Sequence, residues 1–173
     1  MKKHFPFTNA HKSISVLALT LALLCSAPFK TAASAAALID GHYTTAFPSV
    51  QEHIAGNLVN SDRAAYGLPA FTLDPALCRI ARIKSEDMRD NQYFAHTSAT
   101  YGDVRQMLRH FGYSFNAAGE NIAHHATVEK AQAALISSPG HRRNILNKAY
   151  TRMGVGVALD QKGYVYLTQI FCY

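Results

Sequence analysis

The chain has 173 residues, of which 49% are hydrophobic and 16% charged, and its formal net charge is +6. This size and balance suit a single globular domain with a buried core. Four of the 17 lysines and arginines, but none of the 11 acidic residues, lie before Ala35, so the remaining chain carries only +2. No basic run with interleaved aromatic residues remains there, which argues against a nucleic-acid partner.

The N-terminal residues have the organisation of a secretory signal peptide. Basic residues precede the apolar run 14–24, and small residues follow it in two small-x-small sites that end at Ala35 and Ala37. The run is shorter than the roughly 20 residues that span a bilayer, which argues against an uncleaved anchor. Cys25 follows two leucines, which are too large for a lipoprotein signal. We predict a signal peptide over 1–35 cleaved near Ala35 or Ala37, a short linker over 36–47, a mature domain over 48–173 and no transmembrane segment after cleavage.

Three amphipathic helices are predicted in the first half of the mature chain. Ser49 and Glu52 have the spacing of a capping box, and the first helix runs from there to near Gly67. Its predicted inward stripe is Val50, Ile54, Leu58, Ser61 and Ala65. Asp74 and Pro75 open the second helix as N-cap and first helical residue. Its predicted inward stripe is Leu77, Cys78, Ala81, Ser85 and Met88, with Arg79, Arg82 and Arg89 facing water. The third helix extends from Val104 to Phe111 and stops at Gly112.

The second half predicts strands around one more helix. Residues 118–123 are strand-like, and Thr127 caps a fourth helix that continues to Ile136. Pro139 and Gly140 then make a sharp break directly before His141. From residue 153 the period changes to two, and the turn 160–163 joins two strands in a hairpin that ends at 172. Gly154, Gly156 and Ala158 give the first of these strands a small-residue face. Helices followed by a hairpin predict an α+β layered domain.

Two cysteines, Cys78 and Cys172, remain after removal of the leader. Outside the cytoplasm such a pair is more often bridged than free, so we predict a disulfide. It would tie the second helix to the last strand and stabilise the fold by about 4–5 kcal/mol in the chain-entropy model. Two buried thiols that never meet are the alternative.

Three polar residues interrupt the regular pattern at His96, Glu120 and His141. Two imidazoles and a carboxylate suit a zinc site with an open position or general acid–base chemistry. Their spacing lacks the short His-x-x-x-His geometry of a strong zinc motif, so separate, locally satisfied side chains remain the alternative. Neither a Gly-x-Ser-x-Gly motif nor a Cys–His pair indicates a nucleophile. We expect His124 and His125 to face solvent.

In order, the motifs of the chain resemble those of the CAP superfamily, the cysteine-rich secretory, venom-antigen and plant pathogenesis-related proteins, in its bacterial SCP-like branch. The matching segments cover about 50–172 and are Asn60-x-x-Arg63 with Gly67-Leu68, Leu73-Asp74-x-x-Leu77, Asp87-Met88, Tyr93-Phe94-Ala95-His96, Gly119-Glu120-Asn121-Ile122-Ala123, Ser138-Pro139-Gly140-His141-Arg142-x-Asn144-Ile145-Leu146, Gly154-Val155-Gly156-Val157 and Thr168-Gln169-x-Phe171.

The resemblance implies a three-layer α-β-α sandwich and a cleft lined by two histidines and two acids. His96, Glu120 and His141 match three of the four positions, whereas Ser138 stands where animal members carry the second acid. The implied metal is zinc or another divalent ion, with His96 and His141 as ligands and Glu120 as a third candidate ligand. The other residues expected to line the cleft are Tyr93, Asn121, Ser138 and Asn144.

These observations predict a secreted protein, extracellular or held in the cell envelope, that acts as a monomeric binding module. Its expected ligand is a divalent metal, a lipid-like molecule or an envelope component, and no cofactor is required. No catalytic residue is assigned, since one acid of the tetrad is missing; His96, Glu120 and His141 are the candidates. The alternatives are a metal-assisted hydrolase of peptide or cell-envelope material and a purely structural envelope protein. Fold alone does not choose among such roles.

Overall fold

A computed structural model of the chain describes residues 48–173. The predicted signal peptide over 1–35 and the linker over 36–47 lie outside the described residues. In chain order the elements are α1 Val50–Ala65, β1 Thr72–Leu73, α2 Pro75–Asp90, α3 Val104–His110, β2 Ala118–His125, α4 Val128–Ser137, α5 Pro139–Ile145, β3 Arg152–Leu159 and β4 Val165–Cys172.

The starts of α1, α2, α3 and α4 are the ones that the sequence predicts, whereas the predicted break at Pro139 is the start of a further helix, α5. Ser49 and Glu52 form a complete capping box at α1, and the Asp74 carboxylate accepts hydrogen bonds from two backbone N–H groups at the start of α2. Thr127 caps α4 through Lys130 N–H. These caps satisfy N–H groups that have no partner within their own helix.

The strands form one sheet in the order β1-β3-β4-β2, in which β1 is parallel to β3 and the other pairs are antiparallel. A hydrophobic cluster with Val59, Leu135 and Ile145 covers one face beneath α1, α4 and α5. A second cluster, with Leu77 and Leu108, covers the other face beneath α2 and α3. The α+β, three-layer α-β-α prediction is therefore confirmed, and β2 is left as an edge strand of the sheet.

The small-residue face of β3 lets α2 lie directly on the sheet. A Cβ atom at Gly154 would overlap the backbone of Leu77, and one at Gly156 would overlap the backbone of Ala81 and Arg82. Glycine is needed at both positions because the helix backbone occupies the space of a side chain. Ser85 of α2 fixes this contact by donating a hydrogen bond of 3.0 Å to the Gly156 carbonyl.

The predicted inward face of α1 is wrong. Val50 and Ile54 are 76% and 39% exposed, whereas Ala55 and Val59 are fully buried beside Glu52. Gly56 explains the choice, since a Cβ there would lie 3.3 Å from a Leu73 methyl carbon. The helix packs on the sheet with the face that contains Gly56, because this face allows the closest approach. Val50 and Ile54 are therefore left exposed to solvent.

Arg82 is buried rather than solvated, contrary to the sequence prediction. Its guanidinium donates two hydrogen bonds of 2.7 and 2.5 Å to the Glu52 carboxylate, whose side chain is completely buried. The same carboxylate accepts hydrogen bonds from the Ser49 and Val157 backbone N–H groups. Burial of both charges is possible because each one neutralises the other and the remaining lone pairs are used.

The predicted disulfide between Cys78 and Cys172 is not formed, and both thiols are free and buried. Cys78 lies against β3, where its Sγ accepts a hydrogen bond from Val155 N–H at 3.4 Å. Cys172 pairs instead with Arg152, three residues away from Val155 along the same strand. The two thiols thus lie against different positions along β3 and are not joined to each other. Burial raises the pKa of each thiol to about 11.

Among residues 48–173, no helix is both long and apolar enough to cross a membrane.

Candidate functional site

The site lies at the β2 edge of the sheet, where the loop after α2 meets α5. His96 is in that loop, and Glu120 is on the face of β2 that looks toward α2. His96 Nδ1 lies 2.7 Å from Glu120 Oε1. The imidazole is 57% exposed but the carboxylate only 4%, so His96 is the solvent-facing partner of a buried acid. The hydrogen bond to Glu120 raises the pKa of His96 above its ordinary value, although burial opposes this.

His141 is the third residue of α5, which begins at Pro139. Proline suits this first position because its φ is already helical and its missing N–H would have no helical partner. Burial, and second the positive charge of His96, lower the pKa of His141, so it is the neutral imidazole of the pair at pH 7. The structure thus pairs His96 with Glu120 and places His141 close enough to His96 for their charges to interact.

Two buried polar atoms of the site have no hydrogen-bond partner within the described part of the chain. They are Glu120 Oε2 and His141 Nδ1. A buried carboxylate oxygen or imidazole nitrogen left without a partner costs free energy. Both atoms are therefore available to a partner from outside the described residues.

Two asparagines hold α5 against β2. Asn121 Nδ2 donates to the His141 carbonyl at 3.2 Å. Asn144 Nδ2 donates to the Glu120 carbonyl at 3.1 Å and to Asn121 Oδ1 at 2.9 Å. These residues, predicted to line the cleft, fix the backbones that carry the histidine and the acid. Gly119 makes room for this arrangement, since a Cβ there would lie 3.1 Å from Asn144 Oδ1.

A buried chain of amides extends this support across the sheet. Asn121 Nδ2 also donates to Gln169 Oε1 at 3.1 Å, Gln169 donates to Gln132 at 2.6 Å, and Gln132 donates to Asp62 at 2.7 Å. The first three side chains are at most 3% exposed. A fully satisfied buried network of this kind allows one arrangement of its members. The chain therefore links the position of His141 to α4 and α1.

A buried lysine lies beneath Glu120, and sequence reasoning missed it. Lys84 is 1% exposed and its Nζ donates to Tyr93 Oη at 2.9 Å, while Tyr93 in turn donates to Asp87. Burial lowers the pKa of Lys84, and the negative charges of Glu120 and Asp87 oppose that effect. Burial and the hydrogen bond to Asp87 raise the pKa of Tyr93. The burial of Lys84 could have been recognised from the sequence, because Lys84 lies one helical turn before Met88 on the predicted inward face of α2.

Ser138 joins α4 to α5 and is only partly buried. Its side chain caps neither helix and, among residues 48–173, makes no hydrogen bond to the two histidines or to Glu120. The fourth position of the expected tetrad thus carries no charge in this chain.

A model of the CAP family, the cysteine-rich secretory protein family, matches residues 57–171. The chain belongs to the CAP family. The match contains every residue of the site described above, from Lys84 to Gln169.

Two proteins of Bacillus subtilis are similar in sequence to this chain. The uncharacterized protein YkwD is 44% identical over 117 residues, which are 65% of this chain and 46% of YkwD. The uncharacterized membrane protein YlbC is 39% identical over 116 residues, 66% of this chain and 32% of YlbC. The chain thus matches less than half the length of either relative.

A solved structure from Bacillus anthracis, of an extracellular protein containing an SCP domain, has the same fold. It superimposes with a TM-score of 0.64 at 34% identity and covers 70% of this chain and 40% of that one. The fold prediction and the bacterial SCP-like resemblance are both confirmed.

The metal-binding capacity of this CAP domain rests on few side chains. Within the described range, no group of three or more His, Cys, Asp and Glu side chains lies close enough to hold an ion. The donors that remain are the two imidazoles, with the free oxygen of Glu120 nearby. Imidazole suits zinc, and a carboxylate bonded to the second nitrogen of a ligating histidine is the usual support of such a ligand. The donor set of the described residues therefore offers zinc two imidazoles, supported by one carboxylate, and no third histidine or cysteine.

Proposed function

We propose that this CAP domain is an extracellular binding module that holds a divalent ion, zinc in the first instance, between His96 and His141. The observation that carries the proposal is the pairing of His96 Nδ1 with the buried Glu120 carboxylate. That pairing fixes the orientation of the ring and leaves its other nitrogen for an ion. His141, whose pKa is lowered, contributes a neutral imidazole at pH 7.

A site with two protein ligands leaves coordination positions for a ligand from outside. Zinc is usually four-coordinate, so the remaining positions would accept a carboxylate, a phosphate or water. The side chains that converge here are imidazole, carboxylate, ammonium and carboxamide, which favours an ion over a lipid-like occupant. The extracellular location is supported by the predicted signal peptide and by the Bacillus anthracis relative, which is described as extracellular.

Calorimetric titration of the mature protein with Zn²⁺ at pH 7 tests this proposal. We expect one zinc per chain, and we expect His96→Ala and His141→Ala each to reduce the affinity more than Glu120→Gln does. Glu120→Gln removes an outer support, for which a loss of about 10–100-fold is typical. His53 is exposed on α1, so His53→Ala is the matched control and should bind like the wild type.

Zinc binding that survives in both single histidine variants would contradict the proposal. Turnover of peptide, ester or peptidoglycan substrates that stops on addition of a chelator would replace the binding role by a hydrolytic one.

A further inference from the structure

A groove of about 550 Å³ lies between the end of α2 and the turn that joins β3 to β4. It is lined by residues from the end of α2 and from the hairpin of β3 and β4: Arg89, Asp90, Gln92, Leu159, Asp160, Gln161, Lys162 and Tyr166. Its volume is in the range of pockets that take small ligands. None of the three residues of the histidine–glutamate site lines it.

The charges of the groove cancel. Arg89 donates two hydrogen bonds to Asp90, at 2.6 and 3.0 Å. Asp160 lies 3.4 Å from His124 Nε2 and accepts two further hydrogen bonds from N–H groups of the turn. With Lys162 included, two cations face two anions. The groove therefore offers many donors and acceptors without a net charge, which suits a neutral polar ligand better than an anionic polymer or a nucleic acid.

A continuous aromatic surface extends from the groove. The Tyr166 ring stacks on His124 with centroids 4.1 Å apart, and Tyr164 and Phe94 adjoin the same imidazole at 5.8 and 6.3 Å. Tyr164 is 45% exposed and Phe94 51%. Exposed rings next to polar groups present apolar faces and hydrogen-bonding edges together. Sugar rings need this combination, because their C–H faces stack on aromatic rings while their hydroxyls bond to polar side chains.

Gln92 adopts an unfavourable backbone conformation at the groove. Its φ is +52°, the only positive φ of a non-glycine residue in the described part of the chain. α1 and α3 end in the same hydrogen-bonded motif as α2, and there Gly67 and Gly112 occupy the equivalent position, each with φ +67°. Glycine is the favoured residue in this motif because it has no Cβ. The chain uses glycine twice but glutamine where the side chain lines the groove, which indicates a role for the carboxamide.

We propose that the groove and its aromatic surface form a second site, which binds a neutral polysaccharide chain. Tyr164, Tyr166 and Phe94 would stack on sugar rings, and Gln92 would bond to hydroxyl groups. Phe94 precedes His96 by two residues, and His124 follows Glu120 by four on the same face of β2, about 13 Å at ~3.3 Å per residue. A bound chain would therefore extend toward the histidine–glutamate site.

The test is calorimetric titration of the mature protein with neutral hexasaccharides built from glucose, xylose and N-acetylglucosamine. We expect at least one to bind with a dissociation constant of millimolar or below. Tyr164→Ala should weaken that binding by about tenfold, equivalent to 1.4 kcal/mol. Tyr66→Ala, which removes another exposed tyrosine at the end of α1, should leave it unchanged.

Gln92→Gly separates binding from folding. We expect it to weaken hexasaccharide binding at least about threefold, the loss of one net hydrogen bond, and to leave the melting temperature unchanged or higher. His141→Ala should retain full hexasaccharide binding, and Gln92→Gly should retain zinc binding, so the two sites can fail independently. Absence of binding to all the hexasaccharides would overturn the proposal, as would unchanged binding in both Tyr164→Ala and Gln92→Gly, or a lowered melting temperature in Gln92→Gly.

Discussion

Loss of one partner of the buried Glu52–Arg82 pair should destabilise the domain strongly. Arg82→Met leaves a carboxylate without exposure and, among residues 48–173, with only two backbone N–H donors, at 2.6 and 3.3 Å. Removing one partner of a buried pair typically costs about 3–5 kcal/mol. For a domain of this size the melting temperature should fall by about 10–20 °C. Urea unfolding followed by circular dichroism measures the free energy directly.

The double variant gives the sharper test. In Glu52→Gln/Arg82→Met both charges of this pair are gone, and the glutamine oxygen still accepts a backbone N–H, so the double variant should be more stable than Arg82→Met alone. Arg79→Met, one helical turn earlier on a less buried part of α2, should cost under about 1 kcal/mol. The reasoning fails if Arg82→Met costs no more than this control, or if the second substitution lowers stability further.

Three other predictions address packing, thiols and protonation. Gly156→Ala should prevent folding, since its Cβ would overlap the α2 backbone, and soluble expression with a native circular dichroism spectrum would contradict this. Cys78 and Cys172 should resist a thiol reagent in the native protein and react fully in denaturant without reductant; blocked thiols would instead indicate a disulfide. NMR titration should give His96 a pKa above its ordinary value, and Glu120→Gln should lower it. Because the folded pKa is the higher one, this pair adds stability below about pH 6.5 and loses it as the pH rises through the pKa of His96.

Local signals in the sequence predicted most of the fold. The capping box at Ser49 and the Asp74-Pro75 start depend only on neighbouring residues, so they could be recognised without a structure. The alternation of Gly154 and Gly156 with larger residues likewise predicted a strand with a small-residue face. That face is now explained by the direct contact of α2.

Features that depend on distant partners could not be predicted in this way. Glu52 and Arg82 are 30 residues apart, and each alone is typical of a solvated surface. The inward face of α1 depends on Gly56 meeting the sheet, not on the pattern of larger apolar residues. The disulfide prediction was wrong because it relied on the expected extracellular location and on the even number of cysteines. Whether a disulfide forms depends on where the fold places the two thiols, and they lie against different positions of the sheet.

The same distinction between local signals and distant partners applies to the candidate site. Of the three predicted residues, His96 pairs with Glu120, and His141 on α5 is near enough for its charge to interact with that of His96. The supports were not predicted as such. Asn121 and Asn144 were predicted to line the cleft, but their side chains donate hydrogen bonds to the backbone carbonyls of His141 and Glu120. No local pattern marks a hydrogen bond of this kind.

X-ray absorption at the zinc edge tests the central claim most directly. Zinc-loaded wild-type protein should show two imidazole ligands with Zn–N distances of about 2.0–2.1 Å and no sulfur ligand. One imidazole should be lost in His141→Ala. A histidine count unchanged in that variant, or a Zn–S distance of about 2.3 Å from a cysteine ligand, would contradict a metal site between His96 and His141.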